Sequence, residues 1–197
     1  MQTLKNMKNG IEHSIPVSAS FNLFNYINVS PSVNYTERWY FKKVRQEWNN
    51  ETRTVETLDP EYGFWRIYNY NASVSANTTI YGTYVAKKKE RRLQAVRHTI
   101  TPNVGFSYAP DFSRQRYGFY ETVQTDTTGR FKVYSPFTDN AYGVPGSGQQ
   151  FNLTFGLSQS LEAKVRTKDT VKKIKIIDQI SINGSYNFLA DSMRLST

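Results

Sequence analysis

The sequence predicts an all-β fold: antiparallel up-and-down strands forming part of a transmembrane outer-membrane β-barrel, with about six strands in this segment. Three observations lead there. Apolar and small polar residues alternate with period two over long stretches. Those stretches hold no charge, although the chain carries 25 Lys and Arg against 16 Asp and Glu. The connections between them alternate between short and long.

In the first strand Ile15, Val17, Ala19, Phe21 and Leu23 take one face, and Ser14, Pro16, Ser18, Ser20 and Asn22 the other. After Phe24, Asn25 and Tyr26 the pattern resumes with Ile27, Val29, Pro31, Val33 and Tyr35 against Asn28, Ser30, Ser32, Asn34 and Thr36. Residues paired across a hairpin share a face, so odd can pair with odd only across an odd number of loop residues. The three-residue link satisfies this and predicts an antiparallel hairpin.

The third strand sets Tyr68, Tyr70, Ala72, Val74 and Ala76 against Asn69, Asn71, Ser73, Ser75 and Asn77, and runs on towards Ala86. The fourth sets Val96, His98, Ile100, Pro102, Val104, Phe106 and Tyr108 against Arg97, Thr99, Thr101, Asn103, Gly105 and Ser107. In the fifth, Phe151, Leu153, Phe155, Leu157 and Leu161 oppose Asn152, Thr154, Gly156, Ser158 and Ser160. The sixth places Ile180, Ile182, Tyr186 and Phe188 opposite Ser181, Asn183, Ser185 and Asn187. No stretch has a convincing helical period.

The chain also repeats itself. "INVSPSVNYT" superposes on "HTITPNVGFS" with Pro31 on Pro102, and "QISINGSYNF" is a weaker third copy, so the repeating unit is a hairpin. Residues 1–197 therefore read as a single segment of a barrel domain, with hairpins at about 13–41, 64–112 and 149–190. Short links, "FNY", "KKKERRLQ" and "RTKDTVKK", lie inside hairpins; long loops at about 42–62 and 111–148 lie between them.

Alternation alone does not separate a soluble sheet from a membrane one. The polar face decides. A water-exposed sheet carries Lys, Glu and Arg outward, partly to blunt its edges. Here residues 14–36, 67–86, 98–110, 140–161 and 179–190 contain none, and their outward positions are Ser, Asn, Thr and Gly. A strand crossing the hydrocarbon needs roughly 9–11 residues with charge held at its ends. Trp39, Tyr40, Phe41, Phe64, Trp65, Tyr68, Tyr108, Phe112 and Phe188 all stand beside the long-loop side, as an interfacial girdle would.

Other function classes find little support. No cysteine is present, and His13 and His98 are the two histidines. A net charge of +9 raises nucleic acid as a partner, but the charge gathers in turns and loops, which argues against it. The first residues lack the apolar run of a signal peptide, which fits either a cytosolic protein or the interior of a longer secreted chain.

His98 has no second imidazole or carboxylate at ligand spacing, so it reads as structural, and no metal site is expected. Glu51, Glu56, Asp59, Glu61, Asp126 and Asp139 match no calcium-loop spacing and read as loop solubility. Gly143, Gly146 and Gly148 follow a loop and do not form a phosphate cradle, and Ser192 has no positioned base. The expectation is no enzyme, no catalytic residue and no cofactor. The basic run with Lys87, Lys88, Lys89, Arg91 and Arg92 reads first as a solvated turn and second as a periplasmic contact for phosphate or an anionic surface.

The run "AVRHTITPNVGFSYAPDF", residues 95–112, resembles the marked strand of the LPS-assembly protein LptD family, in which Arg-His-Thr-Ile-x-Pro leads into an aromatic strand ending near Tyr-x-Pro. Here those positions are Arg97, His98, Thr99, Ile100, Pro102, Tyr108 and Pro110. "INVSPSVNYTERWY", "NTTIYGTY", "YSPF" and "KIIDQISINGSYNFLADS" look like neighbouring strands of a divergent branch.

The resemblance implies a large barrel in the Gram-negative outer membrane. It implies partners too: lipopolysaccharide, a plug lipoprotein (LptE-like), periplasmic LPS-bridge proteins and outer-membrane lipid. Such a barrel passes lipopolysaccharide through its lumen and a lateral opening into the outer leaflet. The jelly-roll domain and paired cysteines of such proteins have no counterpart in these residues. Two alternatives stay open: a generic porin or nutrient-receptor barrel, and a secreted β-sandwich binding carbohydrate through Trp48, Tyr117 and Tyr142.

Overall fold

The computed structural model describes residues 8–87, 92–167 and 170–196. The first predicted strand is split into β1 (Ile11–Ser18) and β2 (Phe21–Leu23), both paired to β3 (Ile27–Lys43). The first long loop holds a hairpin of its own, β4 (Gln46–Asn49) with β5 (Thr54–Thr57). The third predicted strand is β6 (Glu61–Thr78) followed by β7 (Ile80–Val85), and the fourth is β8 (Leu93–Ala109). The second long loop carries a three-residue 3-10 turn (Gln115–Tyr117) and the hairpin β9 (Glu121–Gln124) with β10 (Phe131–Tyr134). The fifth and sixth predicted strands are β11 (Gln150–Thr167) and β12 (Thr170–Asn187), and β13 (Leu195–Ser196) pairs with β12.

The main sheet has the order β1-β3-β6-β8-β11-β12-β13, with β2 on β3 and β7 on β8. Along this path the strands follow one another in chain order, as in an up-and-down meander. The register in the first hairpin is the odd-to-odd one that parity predicts: Phe21 pairs with Val29 and Leu23 with Ile27. Phe24 and Asn25 turn the chain with φ of 52° and 64°, left-handed values that tighten the three-residue link.

Two expectations need correction. The strands outrun the charge-free segments, since β11 continues through Glu162, Lys164 and Arg166, and β12 begins at Thr170. Most of the basic link "RTKDTVKK" is thus strand, because Val165, Thr167, Thr170 and Val171 keep β-branched residues in the ladder. Charged side chains on Glu162, Lys164 and Arg166 do not stop backbone pairing.

The long loops are not open chain either. The chain forms two compact units, one made of residues up to Val17, Val33–Ala72 and Ala109–Gln150, the other of Ser18–Ser32, Ser73–Tyr108 and residues from Phe151 onward. The first unit has a buried core of Tyr40, Ile67, Phe112, Phe119 and Phe137. Tyr40 and Phe112, read from the sequence as interfacial anchors, are instead inside this core, with Tyr40 wholly buried. Phe41 and Phe64 remain exposed and meet each other at 6.0 Å.

Candidate functional site

The second unit presents two chemically opposite faces. On one, small neutral side chains bond to each other: Ser20 donates to Asn28 at 2.9 Å, Ser32 and Ser73 meet at 2.7 Å, and Ser158 and Ser181 at 2.9 Å. Gly156 lies between Asn103 and Asn183. A Cβ there would stand 2.5 Å from one amide and 2.7 Å from the other, so the missing side chain is what lets the two amides approach. Hydroxyls and amides held this way make a wettable surface without charge.

On the other face Phe21, Leu23, Ile80, Val104, Phe106, Phe155, Ile180 and Ile182 are exposed, Ile182 by 62%. Soluble proteins rarely expose contiguous apolar area of this kind. The paired register of Leu157 with Ile182 and Ser158 with Ser181 keeps the faces apart along β11 and β12. Among the described residues no helix is long and apolar enough to cross a membrane.

The motif residues on β8 divide between these faces. Arg97 pairs with Thr83 and lays its guanidinium over the Tyr81 ring at 4.2 Å. His98, opposite Gly82, meets the Gln159 side chain at 3.1 Å, a polar pair on the apolar parity. Thr99 pairs with Tyr81 and Ile100 with Ile80. Pro102 is half-buried, Tyr108 sets its ring edge-on to Phe151 at 6.4 Å, and Pro110 is buried. Of the basic-turn candidates, Lys87 and Arg92 are described, with the Arg92 carbonyl accepting from Arg166 N at 2.7 Å. Lys88, Lys89 and Arg91 lie outside the described residues.

The first unit is a fastened loop assembly. Tyr40 donates its hydroxyl to the Gly143 carbonyl at 2.5 Å, Tyr120 donates to the Pro145 carbonyl, and Trp65 packs on Phe137 at 6.3 Å. Tyr68 meets Phe119 at 5.3 Å and Tyr70 meets Phe112 at 5.5 Å. Asp111 ties the loop's two ends, accepting from Ser113 N at 2.9 Å, the Ser113 hydroxyl at 2.5 Å and Gly148 N at 2.9 Å. Those bonds, led by the Ser113 hydroxyl, hold its carboxyl below the ordinary carboxylate range.

Three of the loop carboxylates, Asp139, Glu61 and Asp126, are engaged by cations or by turn backbone. Asp139 binds Lys42 at 2.9 Å and Lys8 at 3.2 Å, and the Lys42 bond first among causes depresses its pKa. Glu61 binds Lys43 at 2.9 Å, which lowers its pKa, while Asp126 caps the β9–β10 turn through Thr128 and Arg130. Burial raises the Tyr134 phenol, whose oxygen accepts from Gln46 N at 2.8 Å. Of the aromatics considered for carbohydrate, Tyr117 is stacked on Phe119 at 5.8 Å inside the loop assembly, and Trp48 donates to Asn50 at 2.9 Å.

Sequence reasoning missed Asn140, Phe137 and the Asp111 clasp. Only the last had a usable signal, an Asp two residues before Ser at a strand exit, the pattern of an Asx turn.

A family model described as LptD protein matches residues 1–197. No match is found among curated proteins or among solved structures. Members of the matched family are non-enzymatic outer-membrane components of lipopolysaccharide transport. With the match covering the whole chain and the antiparallel meander in place, this chain belongs to the LptD family.

Proposed function

We propose that residues 1–197 form one segment of the wall of an outer-membrane barrel that inserts lipopolysaccharide into the outer leaflet. The observation that carries this reading is the division of the second unit into an exposed apolar face and a neutral, hydrogen-bonded one. The apolar face meets lipid. The neutral face lines the path, wetting the sugar of an anionic glycolipid without a string of charge traps.

In this reading the chain works with a plug lipoprotein of the LptE kind and with periplasmic bridge proteins. The short links face the periplasm, and the basic residues Lys87 to Arg92 and Lys172 to Lys175 meet phosphorylated lipid or those partners. Neutralising both clusters lowers export; unchanged export would remove that role.

Depletion of the full-length protein tests the main reading. Surface lipopolysaccharide should fall while uptake of small solutes holds. Loss of solute uptake alone would identify a porin or nutrient receptor instead.

A further inference from the structure

The neutral face does not stay neutral along its whole length. Beyond Ser160 the same parity of β11 carries Glu162 and then Lys164. Glu162 pairs with Lys175 of β12, a complementary match. The next pair on that face is Lys164 with Lys173. Like charges directly opposite on an antiparallel pair repel and destabilise the sheet.

Lys164 and Lys173 line a cavity of about 600 Å³ together with Arg97, Tyr81, Thr83 and Glu162. Arg97 reaches it from the odd parity of β8, which also carries Asn103 and Gly105. Its guanidinium stacks on Tyr81. Stacking engages the flat face of the group and leaves its donors pointing outward from the edge. Among the described residues, no carboxylate lies within 4.0 Å of Arg97, Lys164 or Lys173.

Three cations against one carboxylate line this cavity. Empty, the arrangement costs stability; with an anion between the lysines the repulsion becomes attraction. The volume is in the range of roughly 300–1,000 Å³ usual for small-molecule sites, room for a sugar phosphate. We infer that the cavity binds the phosphate-bearing headgroup of a glycolipid, an inference that rests on the export reading above.

The test uses the full-length protein in detergent micelles with three probes: a phosphorylated glycolipid, the same lipid after phosphatase treatment, and inorganic phosphate alone. Wild type should prefer the phosphorylated lipid by about tenfold. The double variant Lys164→Gln with Lys173→Gln should reduce that preference to about twofold or less. The pair Lys164→Arg with Lys173→Arg should keep it. Removing the repulsion leaves the Gln variant at least as heat-resistant as wild type, which separates lost binding from lost folding.

A Gln variant with full preference would overturn the inference. Inorganic phosphate binding as tightly as the phosphorylated lipid would overturn it too, by making this a free-anion site. If wild type binds both lipid forms equally while depletion still strips surface lipopolysaccharide, the headgroup site falls and the export reading stands. If wild type binds neither form and depletion changes nothing, both fall.

Discussion

The side-chain amide of Asn140 donates to the backbone carbonyl of Lys42 at 2.9 Å, although the two residues stand 98 positions apart. The same amide donates to the Phe137 carbonyl at 3.1 Å, and the neighbouring Asp139 accepts from the Lys42 ammonium. One residue at the end of β3 is thus gripped through both backbone and side chain. Asn140→Ala removes a buried donor from two carbonyls and should cost about 1–3 kcal/mol of local stability. Asn140→Asp should cost more, since it turns a carboxylate towards both oxygens. Hydrogen exchange across residues 136–144 reads the order, wild type slowest and Asn140→Asp fastest.

Tyr40 separates packing from hydrogen bonding in the loop assembly. Its ring is wholly buried and its hydroxyl reaches Gly143. Tyr40→Phe loses the bond alone and should weaken the assembly by about 0.5–1.5 kcal/mol. Tyr40→Ala also opens a cavity, at about 3–5 kcal/mol. Protease cutting within residues 136–145 should rise modestly for the first and sharply for the second.

Acid should loosen the same region. Asp139 and Asp111 have carboxyls held below their ordinary value, by the Lys42 bond first and by the Ser113 hydroxyl first. A group whose folded pKa is depressed contributes stability that is fully present above its unfolded pKa, about 3.9. That contribution is lost as the pH falls through the lower folded value. Loop protection should therefore hold from neutrality to about pH 5 and fall below about pH 4. Hydrogen exchange corrected for intrinsic rate should show this, and Asp139→Asn with Asp111→Asn should flatten the fall.

The two faces of the second unit should answer charge differently. Ile182→Arg or Val104→Arg places a cation on the apolar face and should cost about 2–4 kcal/mol near the bilayer midplane. Ser158→Arg, one residue from apolar Leu157, should leave folding into the membrane intact. Heat-modified mobility of the full-length protein in detergent gives the ranking, with the apolar-face variants unfolding first.

How much of this was legible depended on length and period. The pairing of Leu23 with Ile27 followed from parity and a three-residue link. The meander followed from alternating long and short connections. The hairpins β4–β5 and β9–β10 were not legible, because strands of four residues are too short to display a period. Phe119 and Phe137 looked like isolated loop aromatics, and only the fold shows them closing over Tyr40 and Ile67. The pairing of Lys164 with Lys173 was hidden as well. It depends on two register irregularities between Gln159 and Glu162, and no local pattern announces them.

The most direct measurement is single-cysteine labelling of the full-length protein in native outer membranes, for which this segment offers a cysteine-free background. Cysteines at Ser158, Ser181 and Asn103 should react with a membrane-impermeant, water-soluble maleimide. Cysteines at Ile182, Val104 and Leu157 should resist it, and fluorophores placed there should be quenched by nitroxides on acyl chains. Reaction at both sets alike, or lipid quenching at the serines, would contradict the assignment of one face to lipid and the other to a watered lumen.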